Sequence, residues 1–205
     1  MLSLDISNLW SGLSLPDLLG CEPALFEAHT QLFNELDDQL ADWMWLNSTV
    51  PQAAMQKLRD AANRIRTTSD ALVVIGTDAV TLGIRGVLEL LRGCRHNDDP
   101  TKPRIYFTGG DVSTRDFREL TELLDEQDFS VCYIHEDATE SALAFRSLKW
   151  KLTARYGEKE AHERIYVITD TEHLFNRIEG ITICSALRKL GGRYSLLSAV
   201  SLLPL

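Results

Sequence analysis

From Ala71 onward the chain alternates short, continuously apolar runs with longer amphipathic ones, and this alternation restricts its fold more than any other feature. Ala71–Ile75 reads Ala-Leu-Val-Val-Ile and stops at Gly76, the pattern of a strand covered on both faces. Arg104–Thr108, 130–134, Ile165–Thr169 and 181–184 repeat that character. Between them, 82–92, 114–126 and 139–156 carry apolar residues at helical spacing. The pattern predicts an α/β protein with a five-stranded parallel sheet sandwiched between helices.

Helices precede the sheet. Leu25, Leu32, Phe33, Leu36, Leu40 and Trp43 fall at helical spacing. A second helix is predicted after Ser48-Thr49, with Pro51 in its first turn and Ala54, Leu58, Ala61, Ala62 and Ile65 facing inward. Residues 1–20 are of mixed polarity and read as a loosely attached arm. The expected organisation is an arm and helical extension over 1–66, followed by the sheet domain over 67–205.

Composition removes several function classes. A formal net charge of -9 argues against a nucleic-acid surface, which needs a basic patch. No apolar run approaches the ~20 residues that span a bilayer, and the first ten residues lack a basic, signal-like start. Cys21, Cys94, Cys132 and Cys184 show no CxxC spacing, and the last two sit in strand-like runs as expected buried thiols. His29, His96, His162 and His173 share no ligand spacing. These features predict a cytoplasmic protein with no metal and no cofactor, and without nucleic-acid or membrane partners.

In a parallel sheet, ligands sit beyond the carboxyl ends of the strands, so function is sought in the loops 76–83, 109–114, 135–140 and 185–193. Gly109-Gly110 with Ser113 and Thr114 could form an anion nest, although Asp111 weakens it and capping by Ser113 explains the loop. In the last loop, a glycine pair, Gly191-Gly192, permits close backbone approach, and Arg193 offers a fork of donors to an oxyanion.

The string Gly191-Gly192-Arg193-Tyr194-Ser195, continuing to Pro204, resembles the glycine-glycine-arginine signature of glucose-6-phosphate isomerases. Thr67 to Gly76, Arg104 to Gly110, Asp128 to Val131, Ala142 to Arg146 and Arg164 to Asp170 are similar to successive strands and helices of that family. The likeness runs roughly from Ala24 to Pro204. It implies a sugar isomerase (SIS) domain, a flavodoxin-like three-layer sandwich that binds phosphosugars in relatives. By the same resemblance Gly76, Thr139, Glu140, Gly191 and Gly192 are candidate substrate-binding residues, and Arg193 is a candidate stabiliser of an enediolate.

The departures fall on the ligand loops. Where the family carries inner glycines and a serine after its first strand, this chain has Asp78, Ala79 and Val80. Where the family has hydroxyls and amides for phosphate, this chain reads His135-Glu136-Asp137-Ala138-Thr139-Glu140. Two unit charges ~4 Å apart interact by ~4 kcal/mol at an effective dielectric of 20, more than the ~0.3–1 kcal/mol typical of a helix dipole. Glu136 and Asp137 would therefore repel a phosphate, with protonated His135 offsetting part of this as pH falls. The plainer reading of both acids is capping of the helix that follows them. Glu140 reads as a structural helix-start glutamate rather than a substitute base.

The resemblance further implies a general base, a histidine and a lysine beyond Leu205, and a second SIS domain expected to be absent. Without that domain, the apolar segment from Tyr194 to Leu205 is expected to be covered by self-association, most simply as a homodimer. The favoured expectation is a catalytically inactive isomerase-like domain acting through binding or assembly, with a phosphosugar or other small sugar as possible ligand. The alternative is one subunit of a split glucose-6-phosphate isomerase whose partner chain supplies the base.

Overall fold

The structure is a computed structural model of the 205-residue chain that describes residues 12, 15–34, 51–99, 101, 103–186 and 192–205. Two compact units comprise residues 1–42 and 43–205. In the first, helix α1 (Leu15–Gly20) precedes α2 (Glu22–Asn34). Leu25 and Phe26 of α2 are exposed; Leu36, Leu40, Trp43 and Trp45 lie outside the described residues.

The second unit opens with α3 (Gln52–Thr68), whose Leu58, Ala61 and Ile65 are buried, as their spacing predicts. These three residues share a core with strand residues. The compact units accordingly divide at 42/43. Ala54, expected to face inward, is exposed.

After α3 come β1 (Ala71–Ile75), α4 (Asp78–Arg92), β2 (Arg104–Thr108), α5 (Thr114–Asp125) and β3 (Phe129–Ile134). Then follow α6 (Thr139–Glu163), β4 (Ile165–Thr169), β5 (Thr182–Ser185) and α7 (Ala199–Leu202). The five strands are all parallel, in the order β2-β1-β3-β4-β5. Helix α6 contains a left-handed residue, Gly157 at φ 76°, where two helical stretches join.

Side chains alternate across the sheet. Leu72 and Val74 enter one core with Leu58, Ile84 and Leu88; Ala71, Val73 and Ile75 enter the other with Leu120, Leu124, Leu148 and Leu152. Helices α3 and α4 thus cover one face and α5 and α6 the other. This is the expected three-layer sandwich. Cys132 and Cys184 are buried free thiols, and burial pushes both upward in pKa.

The carboxyl-terminal segment corrects an expectation. Val200 and Leu203 join the α3–α4 core, with Leu202 and Leu205 packed against it. A turn over Gly192–Leu197 leads into α7, and Ser198 caps that helix by accepting from Val200 N–H at 3.3 Å. The apolar run is largely covered by the chain's own sheet, so it does not require a second copy. Leu197 remains exposed. No described helix is long and apolar enough to cross a membrane.

Candidate functional site

The strand order reverses direction between β1 and β3. The chain leaves β1 toward α4 on one face and leaves β3 toward α6 on the other, so their first loops diverge and open a crevice. Such a switch point is where open α/β sheets place ligands.

On the β1 side, Gly76 N–H donates to Thr108 O at 3.1 Å, and Thr77 is the extended N-cap residue of α4. Gly76 is not required sterically: an added Cβ would sit 3.5 Å from Ile134 Cβ and Thr81 Cγ2, ordinary contact. Gly109, after β2, has the stricter role. Its φ is 96°, and a Cβ would lie 2.9 Å from Ile75 Cγ2 and 3.2 Å from Ser141 Cα. At Gly110 an added Cβ would meet the Asp78 carboxylate, lying 2.8 Å from its Cγ. Asp78 therefore occupies the space that a second side chain would need.

On the β3 side, Glu136 turns back across the crevice. Its Oε2 accepts a 2.6 Å hydrogen bond from Thr77 Oγ1 and a longer one, 3.4 Å, from Thr77 N–H. The capping role read for Glu136 is thus realised on a different helix: it serves the start of α4, while Ala138, the N-cap residue of α6, provides no side-chain cap. A carboxylate at a helix amino terminus is stabilised by free N–H groups and the helix dipole. Thr77 was missed as a site residue. The signal was a threonine directly before an aspartate at the head of an amphipathic run.

The His135 ring makes its contacts with Thr169, Thr171 and Phe175. The backbone N–H of His135 donates to Ile168 O at 2.9 Å. Its Nδ1 lies 3.3 Å from Thr169 Oγ1 and 3.4 Å from Thr171 Oγ1, and the ring meets Phe175 edge-on at 5.2 Å. Beneath it, Tyr133 stacks on Phe145 at 4.3 Å. Burial raises the Tyr133 pKa, opposed by a hydrogen bond with Ser141 and reinforced by Asp137 and Glu136.

Thr139 and Glu140 begin α6 and are exposed, while Gly76 is buried at the end of β1. Gly191 lies outside the described residues, and Gly192 and Arg193 enter only as the start of the last 3-10 turn. The structure therefore brings Thr77, Asp78 and Glu136 to the crevice, with Gly109 and Gly110 at its rim. Among the described residues, no group of three His, Cys, Asp or Glu side chains is placed to hold a metal ion.

No protein-family model matches the chain. Curated relatives do. The glucose-6-phosphate isomerase of Clostridium tetani is 32% identical over 216 aligned positions, covering 100% of this chain and 48% of that enzyme. Those of Symbiobacterium thermophilum and Acetivibrio thermocellus are each 34% identical, covering 93% and 94% of this chain and 47% of each enzyme. Among solved structures, a hypothetical protein from Thermus thermophilus superposes with a TM-score of 0.75 at 24% identity, covering all of this chain and 48% of its own. The last comparison supports the fold. The chain is thus a relative of the glucose-6-phosphate isomerases along its whole length, and it spans about half the length of the curated relatives it matches.

Proposed function

We propose that this chain is a glucose-6-phosphate-isomerase-like SIS domain that acts by binding or assembly and does not isomerise a phosphosugar on its own, in a cytoplasmic setting. The supporting observation is the 2.6 Å bond from Thr77 to Glu136. A carboxylate of the protein already engages the donors at the start of α4, where the resemblance puts loop amides that meet the sugar phosphate. Asp78 adds a second negative charge in the first turn of the same helix. An incoming phosphate would have to displace Glu136 and then share the crevice with it, against like-charge repulsion of several kcal/mol at close range.

The test is direct. Purified chain is assayed for interconversion of glucose-6-phosphate and fructose-6-phosphate, and its thermal stability is followed as each is added. The expected results are no turnover above background and no stabilisation. A ligand present at 100 times its dissociation constant would add about 2.7 kcal/mol, so binding would be plain. Turnover by the isolated chain overturns the proposal.

The end-to-end match to about half of each isomerase, together with the Gly191-Gly192-Arg193 signature, favours a second reading: one subunit of a split isomerase. Mixing the chain with a polypeptide carrying the remaining part of the Clostridium tetani enzyme restores turnover under this reading. Continued silence removes it.

A further inference from the structure

Strand β2 is at one end of the sheet order, so among the described residues one of its sides has no strand neighbour. Arg104 N–H bonds to Asp70 O, and Thr108 O accepts from Gly76 N–H. By the alternation of a parallel ladder, the backbone groups of residues 104, 106 and 108 face β1, and those of Ile105 and Phe107 face outward. Ile105 is occupied: its N–H donates to Asn97 Oδ1 at 2.8 Å, and its C=O accepts from Asn97 Nδ2 at 3.1 Å. One side-chain amide thus imitates a neighbouring strand for one residue. Phe107 has no such substitute; its N–H and C=O find no partner among the described residues.

The open edge is the floor of a groove of about 830 Å³, within the size range of ligand sites. Leu82 of α4 forms one wall, and Phe117, Leu120, Leu123 and Leu143 of α5 and α6 form the other. An added strand would turn alternate side chains to these two walls. The charges lining the groove are one-sided. Asp78, Glu89, Asp111, Asp116 and Glu140 line it without an ion pair among the described residues, and Glu119 is already bonded to Arg115 at 3.0 Å. Against them stands Arg85, whose guanidinium lies over the Phe107 ring at 5.1 Å.

We propose that this groove receives an extended basic peptide, which adds to the sheet at Phe107 as a sixth strand. Main-chain bonds to Phe107 supply the pairing, the α5–α6 wall takes alternate apolar side chains, and Asp78 and Glu89 on the α4 side select lysine or arginine at the others. The same carboxylates oppose docking of a second copy, which brings an identical acidic rim and a formal charge of -9. Asn97 limits the pairing by holding Ile105. The proposal centres on the β2 edge; Asp78, Gly109 and Gly110 border both this groove and the Thr77–Glu136 crevice, and the N97A arm of the test leaves Thr77 and Glu136 unchanged.

The probe is the hexapeptide Lys-Val-Lys-Val-Lys-Val, titrated into the full chain with residue-resolved amide exchange as readout. The expected results are slower exchange at Phe107, affinity that falls with added salt, and no binding of the Glu-Val counterpart. The variant N97A frees Ile105 for pairing and is expected to bind the probe about 2- to 10-fold more tightly, with circular dichroism confirming its fold. A groove that holds the peptide by side chains alone would give N97A no gain. The proposal is overturned by unchanged Phe107 exchange at saturating probe, by equal or weaker binding to folded N97A, or by sedimentation showing a dimer that protects Phe107 without peptide.

Discussion

The guanidinium of Arg164 donates a 2.8 Å hydrogen bond to the carbonyl of Thr68, the last residue of α3, across 96 positions of sequence. The same side chain binds Glu160 at 2.9 Å and lies 4.1 Å from the centroid of the Tyr156 ring. It therefore closes the carboxyl end of α3, where a positive charge and a donor are both favourable. Arg164→Ala is expected to lower stability by about 1–3 kcal/mol in urea unfolding. Arg164→Lys should recover only part of the loss, because an ammonium cannot make the same forked and stacked contacts.

Glycine substitutions separate two roles that look alike in the sequence. Gly109→Ala places a Cβ against Ile75 at a left-handed φ of 96° and is expected to cost about 1–3 kcal/mol. Gly76→Ala meets only ordinary contacts and should change stability by less than about 0.5 kcal/mol. Thermal melts of the two variants suffice; equal effects would contradict the assignment.

Thr77 and Glu136 should be energetically coupled. Glu136→Ala removes the acceptor of a half-buried, charge-assisted bond and is expected to cost about 1–2 kcal/mol. Thr77→Val should cost a similar amount, and the double variant should lose less than the sum. A coupling energy near zero in that cycle would mean the 2.6 Å contact contributes nothing to the fold.

Tyr166 makes stability sensitive to alkaline pH. Burial pushes its hydroxyl up to about 12, with Arg64 and Arg164 opposing; an unfolded tyrosine titrates near 10. The folded state keeps its proton longer, so the Tyr166 contribution to stability is retained below pH 10 and is lost as pH rises toward 12, by up to about 2–3 kcal/mol. Tyr166→Phe should remove that part of the fall. A slope remains, since Tyr133, Tyr156 and the buried thiols of Cys132 and Cys184 are raised in the same direction. The Tyr166 oxygen is also buried without a partner among the described residues, so the phenylalanine variant is expected to match or exceed the parent at neutral pH.

Periodicity made the sandwich legible. Ala71–Ile75, Arg104–Thr108 and Ile165–Thr169 are strands at the bounds that their apolar runs indicate; the first and last are buried throughout, where a strand covered on both faces tolerates little polarity. Partnership across the chain was not legible. Glu136 looks like a cap for the helix three residues on, and only the crossing of two loops gives it to α4. The run ending at Leu205 reads as an uncovered surface because nothing local shows that α3 and α4 receive it. The start of α4 was placed late, at Leu82, because Asp78 looks polar and loop-like when it is the first helical residue. Asn97 carries no signature at all; its importance comes from where the chain returns to lie beside Ile105.

The four thiols sort themselves by accessibility. Cys132 and Cys184 are sealed within the sheet, and burial keeps them protonated, while Cys21 and Cys94 are exposed and fall one on each compact unit. The unmodified chain consequently comes equipped for double spin labelling: a maleimide or methanethiosulfonate reagent under mild conditions would mark each unit once, and the dipolar coupling between the two nitroxides would report their separation without a single engineered cysteine.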